Sequence, residues 1–243
     1  MSSKWKILAS LGALSLASLA CGFSFNVGEA NGELVTEERA VSGFDEVRLE
    51  GSGRLQITQD GSEGLRIEAR QDVLEKIETR VDGDELIIGF KPGTTLIDSG
   101  PIYFYLSVDD LERVHVSGSG NVDMESLETE NLEVVVSGSG NMNLRDLQAK
   151  ELDLNISGSG NFEAAGEVDQ MRIDVSGSGN CRLGDLRSQT AVVKVSGSGD
   201  VEAWAEESLD INISGSGEVR YYGRPQMNER TSGSGRVTSL GEK

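Results

Sequence analysis

One stretch of the chain decides its fold: residues 152–164 read LDLNISGSGNFEA. Apolar side chains fall on even positions and polar side chains on odd positions, on both sides of a Ser-Gly-Ser-Gly tetrapeptide. Alternation with a period of two is typical of a strand with one buried face. The stretch therefore predicts half-buried strands in the same phase on either side of the tetrapeptide.

The tetrapeptide is an internal repeat. Its seven copies start at Ser117, Ser137, Ser157, Ser176, Ser196, Ser214 and Ser232, so successive copies are about 18–20 residues apart. The connectors are too short for crossover helices, which excludes a doubly wound sheet, and equal spacing favours stacked coils over an antiparallel sandwich. The sequence predicts an all-β, single-domain parallel β-helix with about 18–20 residues per coil and about ten coils.

Two parts of the chain depart from the regular repeat. Residues 44–108 alternate less regularly, and they predict a few strand turns plus one cap-like excursion. Trp204, Tyr221 and Tyr222 are the aromatic residues late in the chain, and we interpret them as core or capping residues rather than a platform for sugar stacking. Cys181 stands in an apolar column and is expected to be a buried filler.

The start of the chain, residues 1–20, reads as an export signal. Lys4 and Lys6 precede an apolar stretch, 7–20, that is too short to span a bilayer comfortably. Residues 16–21, LASLAC, resemble a bacterial lipoprotein signal with Cys21 as the lipidated residue; the alternative is an ordinary secretory signal with an incidental Cys21. We expect a lipoprotein signal peptide at 1–20, a lipidated cysteine and flexible tether at 21–40, and the β-helix domain at 41–243.

The charge of the chain limits the classes of partner that it is expected to bind. The chain has 22 Lys and Arg residues against 41 Asp and Glu residues, a net charge of −19. This acidity disfavours nucleic acid and anionic lipid surfaces as partners. An acylated Cys21 would instead attach the protein to the membrane through its lipid. We therefore expect an exported protein that is lipid-anchored in the bacterial cell envelope, in the outer membrane if the cell is Gram-negative.

The chain also resembles a known family. The residues that carry the resemblance are VSGFDEV at 41–47, the following Gly51-Ser52-Gly53, and the copies of Ser-Gly-Ser-Gly-Asn. Together they look like the putative auto-transporter adhesin, head GIN domain family, over roughly residues 41–237. The resemblance implies an exported, right-handed β-helix with an adhesion role and no agreed catalytic site, and it transfers no functional residue to this chain.

The repeated serines and asparagines are the candidate recognition face. If the backbone stays extended through the tetrapeptide, its serines point outward and its glycines inward; a bend at either glycine would break that parity. The candidate residues are Ser117, Ser119, Asn121, Ser137, Ser139, Asn141, Ser157, Ser159, Asn161, Ser176, Ser178, Asn180, Ser196 and Ser198. We expect this flat face to bind a glycan or another surface polymer. Two alternatives stay open: a purely structural role in corners and ladders, and a match to an ice lattice.

The sequence disfavours an enzyme. His115 is the only histidine, and the alternation places it outward on a strand, so it supports no catalytic triad and no histidine metal site. Seven identical serine motifs argue against a unique nucleophile. With Cys21 lipidated, Cys181 is alone, so no disulfide or cysteine metal site is expected. We expect no catalytic residue, no metal and no cofactor. The alternative functions are an envelope scaffold that self-associates through the ends of the stack and, less favoured, a carbohydrate-active enzyme with unlocated carboxylates.

Overall fold

The computed structural model describes residues 32–97 and 99–243, and these residues form a β-solenoid of about six turns. Strand accounts for 71% of the structure and helix for 2%, which confirms the predicted all-β parallel β-helix. The solenoid has fewer turns than the ten expected. The reason is that residues 64–108 form two partial rungs and an antiparallel cap instead of complete coils.

The strands divide into an N-terminal part and a repeating part. The N-terminal part contains β1 (Leu34–Arg39), β2 (Glu46–Gly51), β3 (Arg54–Gln59), β4 (Gly64–Arg70), α1 (Gln71–Leu74), β5 (Ile77–Asp82), β6 (Glu85–Phe90) and β7 (Tyr103–Val108). The repeating part contains β8 (Arg113–Gly118), β9 (Asn121–Met124), β10 (Leu127–Glu128), β11 (Asn131–Gly138), β12 (Asn141–Gly158), β13 (Asn161–Gly177), β14 (Asn180–Gly197), β15 (Val201–Gly215), β16 (Glu218–Tyr222), β17 (Gln226–Gly233) and β18 (Arg236–Gly241).

Parallel pairing in the repeating part keeps the motifs in register. Ser157 pairs with Ser137 on one side and with Ser176 on the other. Asn141 pairs in the same way with Asn121 and Asn161. Because neighbouring strands lie about 4.8 Å apart, each repeated residue becomes a column that runs along the solenoid axis.

The core lies inside the coils and contains the even-numbered side chains of the quoted stretch. Leu152, Leu154 and Ile156 are at most 1% exposed. Cys181 lies between Phe162 and Val201 in one inward column and is fully buried, as predicted. The alternation of apolar and polar residues in the sequence therefore shows which side chains point into the coil and which point outward.

The N-terminal end of the stack is capped by chain that folds back on itself. β2 lies between β6 and β8, and β3 lies between β7 and β9, so β6 and β7 stack outside strands that precede them in sequence. Antiparallel strands complete the cap: β5 pairs with β6, β4 with β7, and β1 with β4. The predicted cap-like excursion is this segment.

The cap also includes residues that the sequence assigns to the tether. Leu34–Arg39 forms β1, which pairs residue for residue with β4, from Leu34 opposite Arg70 to Arg39 opposite Leu65. The chain is therefore folded from residue 34, before the boundary predicted at residue 40. Pairing with β4 satisfies backbone groups that a tether would leave to water. The predicted signal peptide and residues 21–31 of the tether, Cys21 included, lie outside the described residues.

The C-terminal end of the stack has no such cap among the described residues. The inward positions of β17 are Met227, Glu229 and Thr231, which pair with Leu209, Ile211 and Ile213 of β15. All eight residues of β17 are exposed. A charged side chain that points inward on an edge strand discourages further strand pairing. The polar inward positions of β17 therefore disfavour the pairing of a further strand with this end.

Candidate functional site

The Ser-Gly-Ser-Gly motif forms a corner between two strands. In each copy the strand ends at the first glycine and the next strand starts just after the second, as at Gly138 and Asn141. Gly138 has a φ of +154°, and a Cβ on it would lie 2.3 Å from the carbonyl oxygen of Gly118 in the preceding coil. The backbone therefore bends at the first glycine, and only glycine fits there.

The second glycine is needed for a different reason. Gly140 is buried, and a Cβ on it would lie 2.4 Å from the carbonyl oxygen of Gly120 and 2.6 Å from Val116 Cγ1. Two backbone N–H groups, those of Ser139 and Gly140, donate to the carbonyl oxygen of Gly118 at 2.8 and 3.1 Å. The corner thus packs coil on coil through backbone contacts.

Both serines of each motif are nevertheless on the outer surface. Ser137 and Ser139 are exposed, and the same holds for Ser157 and Ser159. The predicted orientation of the serines is correct, although the expected parity of the glycines holds only for the second one, because the bend occurs at the first. Among the described motif serines, the one with a side-chain partner is Ser137, whose Oγ lies 3.3 Å from His115 Nε2. The hydroxyl columns therefore face solvent.

The asparagines form a hydrogen-bonded ladder. The Nδ2 of Asn141 donates to Oδ1 of Asn121 at 2.8 Å, the Nδ2 of Asn161 donates to Oδ1 of Asn141 at 2.7 Å, and the Nδ2 of Asn180 donates to Oδ1 of Asn161 at 2.9 Å. The backbone N–H of Asp200 continues the series by donating to Oδ1 of Asn180 at 3.3 Å. This ladder stabilises the stack and fixes the direction of every amide, so each middle asparagine keeps one free N–H for a ligand.

A shallow groove of about 310 Å³ runs beside the asparagine ladder. Its lining residues are Arg54, Asn121, Val122, Asp123, Asn141, Met142, Asn143, Asn161, Glu163 and Arg182. The structure therefore brings Asn121, Asn141 and Asn161 into a groove, while the serine columns lie beside it at the corner. Sequence reasoning missed the charged residues of the groove. Asp123, Glu163 and Arg182 each stand two positions after an asparagine, on the same face of the strand. Arg54 pairs with Asn121 and so stands in the asparagine column itself.

Ion pairs stand at both ends of this groove. Arg54 Nε lies 3.1 Å from Asp123 Oδ2, and Arg182 Nη1 lies 3.6 Å from Glu163 Oε2. All four side chains are more than one third exposed, so these pairs contribute little to stability and can exchange partners with a ligand. Between them lies the uncharged Asn143, which pairs with Asp123 and Glu163 of the neighbouring coils.

A second, smaller groove lies on the strands that precede the corner. It has a volume of about 180 Å³ and is lined by Glu46, Glu112, Arg113, Asn131, Leu132, Glu133, Glu151 and Asp153. Arg113 donates to Glu46 and to Glu133 across three coils at 2.6–2.8 Å. The hydrogen bond with Glu133 raises the pKa of Arg113 above its ordinary value. The ion pairs of Arg113, at 2.6 and 2.7 Å, are shorter than those of the first groove, at 3.1 and 3.6 Å.

The thiol of Cys181 is placed unfavourably for nucleophilic chemistry. Burial raises the pKa of the Cys181 thiol, so this thiol stays protonated. Within residues 32–97 and 99–243, no group of three or more His, Cys, Asp or Glu side chains is arranged to hold a metal ion. Over the same residues, no helix is long and apolar enough to cross a membrane.

Comparisons with known proteins identify the family and the fold of the chain. A family model described as "Putative auto-transporter adhesin, head GIN domain" matches residues 43–225. A crystal structure of a putative adhesin from Bacteroides fragilis is 23% identical, with a TM-score of 0.83, over 87% of this chain and 99% of that one. A putative lipid binding protein from Parabacteroides distasonis is 24% identical, with a TM-score of 0.72, over 87% and 98%.

A third structure has the same fold. It is a putative adhesin from Parabacteroides merdae that is 20% identical, with a TM-score of 0.73, over 87% of this chain and 98% of that one. No curated protein sequence matches the chain. At these identities the solved structures show the shared fold, and the family model confirms the resemblance found in the sequence.

Proposed function

This chain belongs to the family described as "Putative auto-transporter adhesin, head GIN domain", and on that premise we propose that it is a non-catalytic adhesion module that recognises a surface polymer. The binding face consists of the outward serine columns and the neighbouring groove along the asparagine ladder; we name it the recognition face. The adhesin family suggests an extracellular or surface location. A lipid anchor at Cys21 would present the recognition face to the surroundings of the cell.

The observation that carries this proposal is the in-register repetition of the face. Ser137, Ser157 and Ser176 follow one another on paired strands, so the same hydroxyl recurs about every 4.8 Å along the axis. A surface of identical, evenly spaced groups suits a ligand that is itself repetitive. A polymer can bind such a surface through many weak contacts, which together give useful affinity.

The chemistry of the groove favours a hydroxyl-rich ligand. Its side chains are amides, carboxylates and guanidinium groups, and they offer both donors and acceptors at fixed positions. The net charge of −19 disfavours polyanions. A neutral glycan that lies along the axis, with its hydroxyl groups against Asn143 and the two exposed ion pairs, satisfies both conditions.

A glycan array tests the recognition face. Ser157, Ser159, Ser176 and Ser178 are changed together to Gln, and a separate variant carries Asn143→Tyr, which fills the groove. Because both changes obstruct the face, binding of array glycans should fall at least about tenfold in each. The matched control changes Ser126 and Ser208, outside the recognition face, to Gln and should bind as the unaltered protein does. Unchanged binding by both folded test variants would refute the recognition face.

The lipid anchor has a separate test. With Cys21→Ser no thioether to lipid can form, so the protein should move from the membrane fraction to the soluble fraction of the cell envelope. If the variant is as membrane-associated as the unaltered chain, the anchor proposal is wrong while the recognition face is unaffected.

A further inference from the structure

We infer that Trp204, Tyr222, Asp185 and the carbonyl group of Gly184 form a binding site for a primary ammonium group, and that its ligand is a lysine side chain of a protein partner. We name these four residues the ammonium site. In this structure the side chain of Lys243 fills it. The site shares no residue with the recognition face, and the inference goes beyond the proposed adhesion role.

The site lies where the coils become shorter. The motifs at Ser196 and Ser214 are closer together in sequence than those at Ser176 and Ser196. The shortening shows in the pairing of β14 with β15: Leu183 pairs with Ala203, and Arg187 pairs with the very next residue, Trp204. Residues 184–186 therefore have no partner in β15, and they form a ledge beside the narrower coils.

An ammonium group is held above this ledge. The Nζ of Lys243 lies 4.8 Å from the ring centroid of Tyr222 and 5.5 Å from that of Trp204, within the range of cation–π attraction. The same Nζ donates to the carbonyl oxygen of Gly184 at 2.6 Å and to the carboxylate of Asp185. Two aromatic rings and two oxygens thus surround one ammonium group.

The surrounding residues hold the site in shape. Trp204 Nε1 donates to Glu206 Oε1 at 3.0 Å, which fixes the orientation of the indole ring. Gly184 is buried, and a Cβ there would lie 2.2 Å from Glu202 Oε1 and 3.1 Å from Tyr222 Cε2. Glycine at this position leaves room for the Glu202 carboxylate, and its carbonyl oxygen accepts from the bound ammonium.

A lysine side chain from a partner fits this site because Lys243 already demonstrates the fit. The ammonium group supplies N–H donors to the carbonyl and the carboxylate, and its alkyl stem can pass along the rings. The acidic surface of the whole chain attracts cations to it. Lys243 is held in the same chain at a high effective concentration, so it acts as a built-in competitor that a partner lysine must displace.

The test uses Trp204 as its own reporter. The chain has two tryptophans, and Trp5→Phe leaves Trp204 as the only one in the full chain. The probe Nα-acetyl-lysine amide is titrated into this protein and into its Lys243→Ala variant, while Trp204 fluorescence and the indole N–H resonance are followed. We expect saturable binding in Lys243→Ala and at least about tenfold weaker binding when Lys243 is present. Nα-acetyl-norleucine amide, which lacks the charge, should not bind.

Further variants make the outcome decisive. In the Lys243→Ala background, Asp185→Asn should weaken probe binding about tenfold because it removes a charge-assisted hydrogen bond, whereas Tyr222→Phe should preserve binding. Circular dichroism checks folding, and Lys243→Gln replaces Lys243→Ala if the last coil is lost. Absence of saturable binding in the folded variant, equal binding of the norleucine amide, or binding to phosphatidylethanolamine vesicles without binding to the lysine probe would each overturn the inference.

Discussion

At the scale of the residue, the corner glycines are the positions that tolerate least change. Gly158 has a φ of +139°, and a Cβ on it would lie 2.4 Å from the carbonyl oxygen of Gly138. We expect Gly158→Ala to lower the free energy of unfolding by more than about 2 kcal/mol, because it combines a left-handed backbone conformation with a backbone clash. Urea unfolding followed by circular dichroism measures the change.

A second glycine gives the matched control. Gly64 lies in a strand, has no positive φ, and has no atom within 4 Å of a built Cβ. Gly64→Ala should therefore change the free energy of unfolding by less than about 1 kcal/mol. Equal destabilisation by the two substitutions would show that the close stacking of the corners is not what requires glycine.

His115 predicts a pH dependence of stability. Burial, followed by the charge of Arg48, lowers the pKa of His115 below the ordinary value of 6.5. The folded protein thus favours the neutral imidazole, so this stabilising contribution is complete above pH 6.5 and is lost as pH falls through the folded pKa. The other charged groups that face the imidazole are Glu85, Glu50 and Arg113.

The measurement compares thermal unfolding of the unaltered protein with that of His115→Gln between pH 7.5 and 5. We expect the unfolding midpoint of the unaltered protein to fall more steeply with decreasing pH than that of the variant. The difference in slope should correspond to the uptake of at most one proton on unfolding. Parallel slopes would mean that His115 does not titrate differently in the folded and unfolded states.

At the scale of the element, the sequence predicts which face of a strand is buried better than it predicts which strands are neighbours. The alternation of residues 152–164 identifies the buried side chains correctly, and the repeat sets the register of strands β11 to β15 because identical motifs stack on one another. No comparable mark exists in residues 64–108. Val47 pairs with both Leu86 and Val114. All three residues are apolar and all three strands alternate in the same way, so the sequence does not show which strands are neighbours.

The candidate site was predictable to a similar extent. The serines and asparagines could be placed outward from the period of two, since the repeat fixes their phase. The groove beside them could not, because it depends on side chains from five stacked strands, Arg54 and Arg182 among them, that differ from one strand to the next. The ammonium site depends on a bulge, and its signal in the sequence is only the closer spacing of the motifs after Ser196.

The polar inward residues of β17 predict that this end of the stack resists self-association. Glu229 and Thr231 occupy inward positions that are Ile211 and Ile213 one coil earlier. We expect the double variant Glu229→Ile, Thr231→Val to self-associate with rising concentration, because it completes the apolar column and leaves an edge strand open to pairing. Sedimentation velocity measures the association.

A conservative pair controls for the substitutions themselves. Glu229→Gln together with Thr231→Ser keeps both inward side chains polar, so this protein should sediment as the unaltered one does. If the apolar variant also stays at its original size, the polar residues do not protect the end. In that case, the envelope scaffold would need another association surface.

At the scale of the whole molecule, the solenoid is close to a one-dimensional stack. Each coil contacts mainly its two neighbours, so local stability depends on position along the axis. One end carries the antiparallel cap of β1, β4, β5, β6 and β7. The other ends in β17, which is exposed throughout, and β18, which is exposed at four of its six residues. Opening should therefore begin at β17 and β18 and progress toward the middle of the stack.

A substitution of Lys243 tests this dependence of local stability on position along the axis. It joins the end of the chain to Gly184 and Asp185, 59 and 58 residues earlier. Hydrogen exchange should show amide protection that rises from β18 to β13, and Lys243→Ala should reduce protection in β18 and β16, which pair with each other, while β12 and β13 keep theirs. Loss of protection across the whole stack would instead mean that the coils unfold as one cooperative unit. Unchanged protection in β18 would mean that backbone pairing alone holds the last strand.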